Sequence, residues 1–365
     1  MRAARIKIVV PVFAVALCAA LTGCMQAINA NAGAVSFYSG NLQGTDNATS
    51  TNYLYYPRGM AVDKKGNIYI VDSGNDRIVM IPGTGTATQI GLLSSSWKSF
   101  PNASTSSGYY LTAPEGIAVD PSGANIWVAD SGDGRIVHLS SADCWTSSTP
   151  TFDVCTSVSY TTPSGTTATH ALSYPTGLAL CVSGSSYTLY ATDPGSNFPN
   201  SIPAILLIAI SPTYKFTPTV SPTYYKEGKG GGENQFSYPR GIAVDPTAGY
   251  VYVADETNYR VDRMSLDLRS TWTTLGGTRG SGTGQFLSPQ TVAVDASGKI
   301  FVVDSANYWV VKMSDIAGTG WTTYGMQRYQ GVSVYPNWVA VDSTSPANIY
   351  VSDDTQYLIA EFAQQ

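Results

Sequence analysis

One unit recurs six times along this chain, and a repeat of that kind decides the architecture before any single strand is considered. The first copy reads Tyr56-Pro57-Arg58-Gly59, then a strand-like run ending at Asp63, a turn, NIYIVD ending at Asp72, and RIVMI. The later copies are built on Pro114, Pro175, Pro239, Pro289 and Pro336. Six residues after each proline stands Asp63, Asp120, Cys181, Asp245, Asp295 or Asp342. A second aspartate follows 9 to 12 residues later: Asp72, Asp130, Asp193, Asp255, Asp304 and Asp353. The prolines lie 57, 61, 64, 50 and 47 residues apart, so length variation falls in the connections.

Each copy reads as strands. The first is a near-continuous apolar run, as in a sheet covered on both faces. The second and third mix β-branched and aromatic residues, and KKGN, PSGAN, PTAG and ASGK mark the turns between first and second. A weaker fourth strand is expected at ATQIGLL, DVCTSVSY, STWTTLGG and GWTTYG. Four strands at this period make a β-propeller blade, which predicts an all-β, six-bladed propeller over residues 34–365. Alanine occupies the middle of every first strand (Ala61, Ala118, Ala179, Ala243, Ala293, Ala340), where six strands crowd the axis. The sixth copy ends after three strands. Ala34 to Gly40 (AVSFYSG) has no partner in its own copy, so it is expected to complete the last blade and close the ring.

The unit resembles the NHL repeat: P-x-G-I-A-V-D, a turn, N-I-Y-V-A-D-S-x-N-x-R-I, and a looser stretch ending in G-x-G-Q-F. Copies one, two and four match it closely; GGGENQF (230–236) and GSGTGQF (280–286) match its last part; copy three departs most. The resemblance implies a binding or interaction platform. It also implies an alternative, because some NHL-like propellers are lyases, and the amidating type among them uses a histidine-bound zinc. The only histidines here are His138, in a third strand, and His170, in a Ser/Thr-rich loop, and both read as structural or solvated. Related lactonase propellers hold a divalent cation with axial Glu, Asn and Asp. Glu115 and Asn337 would be part of such a set, but two arginines in the same ring would repel a cation. No GxSxG or HExxH motif is present, and the sequence names neither a catalytic residue nor a cofactor or metal.

A specific site should break the repeat. The residue after each proline enters the first strand near the axis: Arg58, Glu115, Thr176, Arg240, Gln290 and Asn337. These are polar in every copy and differ between copies, which suits either a ligand ring or a solvated channel mouth. The connections between second and third strands share this face and turn aromatic in the later copies, with Tyr259, Tyr308, Trp309 and Tyr357. Such a patch suits a sugar ring or peptide, or else is packing that replaces a missing arginine. Asp72, Asp130 and Asp255 each precede an arginine by five residues (Arg77, Arg135, Arg260), which reads as a repeated Asp–Arg pair fixing the turn.

The first 23 residues read as an export signal. Arg2, Arg5 and Lys7 precede an apolar run from Ile8 to Leu21 that ends in Leu21-Thr22-Gly23-Cys24, which resembles a bacterial lipobox with Cys24 as the lipidated residue. A short tether, 24–33, follows. The expectation is a body held to the membrane through lipid on Cys24, in the cell envelope, and at the outer membrane in a diderm, since residue 25 is Met and not Asp. Removing the signal takes the formal charge from −5 to −8, since three cations and no acid leave with it. An acidic, charge-poor surface excludes nucleic acid and leaves protein, peptide or glycan as partner. Cys144 and Cys155 flank a short loop and are a candidate disulfide.

Overall fold

The computed structural model describes residues 32–39, 54–83, 98–100, 110–146, 152–161, 167–195, 203–211, 216, 225–227, 230–233, 235–268, 270–325 and 335–364. The signal segment, Cys24 and most of the tether lie outside them. Six four-stranded antiparallel sheets form the blades. Blade 1 is Pro57–Val62, Ile68–Asp72, Arg77–Ile81 and Lys98–Phe100. Blade 2 is Ile117–Val119, Asn125–Asp130, Arg135–Ser140 and Asp153–Cys155. Blade 3 is Leu178–Ser183, Ser186–Asp193, Ala204–Ile210 and Tyr225–Glu227. Blade 4 is Pro239–Asp245, Tyr250–Asp255, Arg260–Ser265 and Trp272–Gly276. Blade 5 is Pro289–Val294, Ile300–Asp304, Trp309–Met313 and Thr322–Gly325. Blade 6 is Pro336–Val341, Asn348–Asp353, Leu358–Gln364 and, as its outer strand, Ala32–Ser39.

The first strands touch one another in a closed circuit, blade 1 to blade 2 and so on round to blade 6 and back to blade 1, which sets them at the axis. Apolar packing lies between blades and not within one central core: each of six clusters joins two neighbours. Trp338, Ala340 and Tyr350 of blade 6, for example, pack on Met60, Ile68 and Val79 of blade 1. The close approach at the axis explains the glycine of P-x-G. A Cβ on Gly59 would stand 2.4 Å from the Glu115 carbonyl oxygen, and one on Gly116 would stand 1.9 Å from that of Thr176.

The ring closes as expected. Ala32–Ser39 runs antiparallel to the third strand of blade 6, pairing Val35 with Phe362 and Ser39 with Leu358. We call the end where the first strands begin the upper face, and the opposite end the lower face. Two fourth strands differ from expectation. In blade 1 it is Lys98–Phe100, whereas ATQIGLL (87–93) lies outside the described residues. In blade 2 it is only Asp153–Cys155, because Ser157–Thr161 turns away to form a separate hairpin with Thr167–Ala171. His170 therefore sits in a strand, not in a loop.

The two sets of repeated aspartates are structural. On the lower face, Asp63 accepts the backbone N–H groups of Lys65 and Asn67 and the Asn67 amide; Asp120, Asp245, Asp295 and Asp342 hold their own turns in the same way. Cys181 takes this place in blade 3, where the turn is a two-residue hairpin between Ser183 and Ser186. On the upper face, each second aspartate clamps the chain entering its own blade: Asp72 accepts Tyr55 N–H, Asp130 Thr112, Asp193 Tyr174, Asp255 Tyr238, Asp304 Ser288 and Asp353 Tyr335. Arg77 and Arg135 cap Asp72 and Asp130 at 2.6 and 2.7 Å. In blade 3 the cap is His170 Nε2, 3.1 Å from Asp193 and brought in by the extra hairpin.

Cys144 and Cys155 are both buried and are not joined in a disulfide. The short helix Ser141–Thr146 puts Cys144 between blades 1 and 2, while Cys155 packs between blades 2 and 3. The blade 2 sheet stands between them.

Candidate functional site: the axial upper face

The residues after the six prolines gather on the upper face, but they do not form one uniform ring. Three build an ion network. Glu115 Oε1 lies 2.7 Å from Arg58 Nη1, and its Oε2 lies 3.2 Å from Arg240 Nη2. Tyr174 donates its hydroxyl to the same Oε1 at 3.0 Å, and Arg240 reaches on to Glu256 at 3.6 Å. Burial alone would raise the Glu115 pKa; the Arg240 and Arg58 guanidiniums and the tyrosine outweigh it and hold the carboxyl below its usual range. Arg240 is correspondingly held protonated by Glu115 and Glu256 against its burial. The four charges cancel in place.

Thr176 is fully buried, its hydroxyl paired with Thr192 and set against the carbonyls of Pro239 and Arg240. Gln290 and Asn337, in blades 5 and 6, are different again. Asn337 donates its amide to Asp354 at 3.0 Å, which fixes its orientation. Its Oδ1 is buried without a hydrogen-bond partner, and so is Oε1 of Gln290. A buried acceptor left unpaired costs on the order of 1–3 kcal/mol, so these two oxygens carry unused hydrogen-bonding capacity on this side of the axis.

Aromatic side chains meet on the same face, at the two junctions that flank blade 6. Tyr308 and Tyr335 meet edge to face, centroids 5.1 Å apart, across the junction of blades 5 and 6. Tyr357 meets Tyr55 at 5.0 Å and Tyr56 at 5.2 Å across the junction of blades 6 and 1. Tyr335 and Tyr56 are 36% and 41% exposed, so the group presents ring surface to solvent. Tyr259, Tyr308 and Tyr357 all occupy a left-handed backbone position, with φ of 57°, 58° and 56°; blades 1 and 2 place Asp76 and Gly134 there. The turn demands that conformation but not an aromatic residue, which costs about 1–2 kcal/mol more there than glycine would. Tyr259 stands apart from the others, with the Arg279 guanidinium over its ring at 6.0 Å. Trp309 is not part of the surface patch: half-buried, it packs against the cluster between blades 4 and 5, in the slot that Arg77 and Arg135 fill in their blades.

Sequence reasoning missed Tyr55, Tyr56, Tyr174 and Tyr335. A signal existed, since tyrosine precedes the proline in four copies, but the repeat hid that this one position turns inward at Tyr174 and outward at Tyr56 and Tyr335.

Residues 54–79 match the model of the NHL repeat. The match spans one unit, and the other five carry the same proline, turn and aspartate positions in the same places of their blades. The chain is an NHL-repeat β-propeller. No curated relative matches it in sequence. Solved structures share the fold at low identity. A virginiamycin B lyase from Staphylococcus aureus is 14% identical, with TM-score 0.52 over 91% of this chain and 100% of that one. A streptogramin B lyase is 12% identical, with TM-score 0.51 over 92% and 98%. A protein of unknown function from Bacteroides thetaiotaomicron is 15% identical, with TM-score 0.56 over 91% and 76%.

Metal ligation does not fit this NHL propeller's axis as built. Both Glu115 oxygens are engaged by arginines, and Asn337 holds Asp354. Among the described residues no group of three or more His, Cys, Asp or Glu is arranged to hold an ion. His138 is buried in blade 2, stacked on Trp127 at 5.0 Å and 3.1 Å from Asn125 Oδ1, and His170 caps Asp193.

Proposed function

We propose that this protein is a lipid-anchored binding module of the bacterial cell envelope, which takes a ligand on the upper face at blades 5, 6 and 1. The observation that carries the binding site is that two buried, unpartnered amide oxygens, Gln290 Oε1 and Asn337 Oδ1, share the upper face with exposed tyrosine rings. Acceptors ask for hydroxyl or N–H donors, and the rings ask for an apolar face. A saccharide or a short peptide offers both, and the two cations of the axial ring, Arg58 and Arg240, are already paired with Glu115. The lipobox-like Leu21-Thr22-Gly23-Cys24 supports the anchor.

The lyase neighbours suggest a second reading, an exported lyase or hydrolase with an axial metal. Their likeness to this chain is one of fold, and Glu115 and Asn337 are occupied as described above, so the binding reading stands first. A screen of glycans and peptides against the purified full chain tests it. Binding that weakens in Asn337→Leu and Tyr335→Ala supports the reading; turnover of a substrate that depends on an added divalent cation would overturn it. Cys24→Ala should release the protein from membranes, and a variant held as firmly as wild type would refute the anchor.

A further inference from the structure

The closing strand has a polarity, and that polarity orients the whole propeller. Ala32 pairs with Gln364 and Ser39 with Leu358. Leu358 follows directly on the upper-face connection after Asp353, so the third strand of blade 6 descends from upper to lower face and Ala32–Ser39 climbs from lower to upper. The chain therefore joins the propeller at the lower face, on the outer edge of blade 6. Cys24 lies eight residues upstream of Ala32.

That spacing is short compared with the blade. Eight residues reach at most about 28 Å fully extended, and a random coil of that length has an end-to-end distance of roughly 16 Å. The closing strand, eight residues long, itself rises about 24 Å from lower to upper face. For the upper face to lie on the bilayer, the anchor would have to travel back up the full outer edge of the blade at near-maximal extension. With the lower face toward the bilayer, the same residues need no extension.

Resting on the lipid anchor proposed above, we infer that the propeller stands on its lower face, with the turn Asp342–Asn348 of blade 6 nearest the lipid, and that the upper face points away from its own membrane. The partner is then a molecule of the surrounding compartment or of an opposing surface. A headgroup of the anchoring bilayer is excluded as the upper-face ligand.

Energy transfer from a protein label to an acceptor dye at the lipid surface tests this with the full lipidated chain in vesicles. Ser343→Cys and Thr355→Cys place a label on the lower and upper ends of one blade, at exposed positions, while Cys144, Cys155 and Cys181 are buried. Transfer should be clearly greater from position 343 than from 355. Equal transfer, or greater transfer from 355, overturns the orientation while leaving the anchor intact. A chain that stays free of vesicles, or that is held equally well as Cys24→Ala, overturns the anchor and the orientation with it.

Discussion

The two sides of the upper face solve the same axial problem in opposite ways. In blades 1 to 4 the P-x-G glycine lets neighbouring strands approach closely, and the residues beside it include charges that neutralise one another: Arg58, Glu115 and Arg240, with Glu256 and Tyr174. In blades 5 and 6 the glycine is replaced by Thr291 and Trp338. Thr291 bonds to the Val339 backbone N–H, and Trp338 packs toward blade 1. The ring residues there are neutral amides with an acceptor left over, and the surrounding turns carry tyrosine. The first network balances its charges internally and holds blades together, although Nε of Arg58 and of Arg240 is left without a partner. The second side keeps neutral acceptors unmet next to partly exposed tyrosines, which is the basis of the binding site proposed above.

The comparison can be broken at several places. The largest effect is expected at the seam that both sides share. Deleting residues 32–39 strips the last blade of its outer strand and exposes the edge of Leu358–Gln364, so the protein should aggregate and lose its melting transition. Deleting 26–31 should leave solubility and melting temperature unchanged, and equal tolerance of both deletions would contradict the closure. Next comes Glu115→Gln, which leaves two guanidiniums facing each other across a buried site and should cost about 3–5 kcal/mol in denaturant unfolding. Asn337→Leu loses one hydrogen bond but also removes an unpaired oxygen, so its cost should stay within about 1 kcal/mol. If the two substitutions cost the same, the asymmetry is not energetic.

A smaller effect concerns pH. On the third strand of blade 4, Arg260 serves both Asp255, at 3.4 Å, and Asp262, at 2.9 Å. Burial outweighs the attraction of Arg260 and pushes the Asp262 carboxyl up to about 7. A folded-state pKa above the unfolded value, about 4, means that the protonated form stabilises the fold. This contribution is complete below pH 4 and lost as the pH rises through 7. Asp262→Asn should flatten the fall in melting temperature over that window, and an unchanged slope would assign it elsewhere.

Much of this was legible in the sequence because a repeat averages out noise. Six prolines, eleven aspartates and one Cys181 in register fix strands, turns and closure, and each aspartate does a job that short-range geometry dictates. What stayed hidden depends on contacts between copies. Nothing in the spacing of Arg58, Glu115 and Arg240 says that they meet, and so a ring of six candidate ligand contacts resolves into a salt-bridge network, a buried Thr176 and two amides. The extra hairpin was hidden because Ser- and Thr-rich sequence reads as loop; its role is visible only when His170 reaches Asp193. The Cys144–Cys155 pairing failed because nearness in sequence does not show which side of a sheet each thiol takes.

The claim on which the account rests is that blades 5, 6 and 1 of the upper face take a neutral, donor-bearing ligand. Titrating a hit from the glycan and peptide screen against wild type, Asn337→Leu, Tyr335→Ala and the lower-face variant Lys65→Ala measures it most directly. The account predicts that each upper-face substitution weakens binding about tenfold, as expected for a loss of roughly 1.5 kcal/mol, with Lys65→Ala unchanged. Affinity untouched by Asn337→Leu and Tyr335→Ala, or lost in Lys65→Ala, would contradict it.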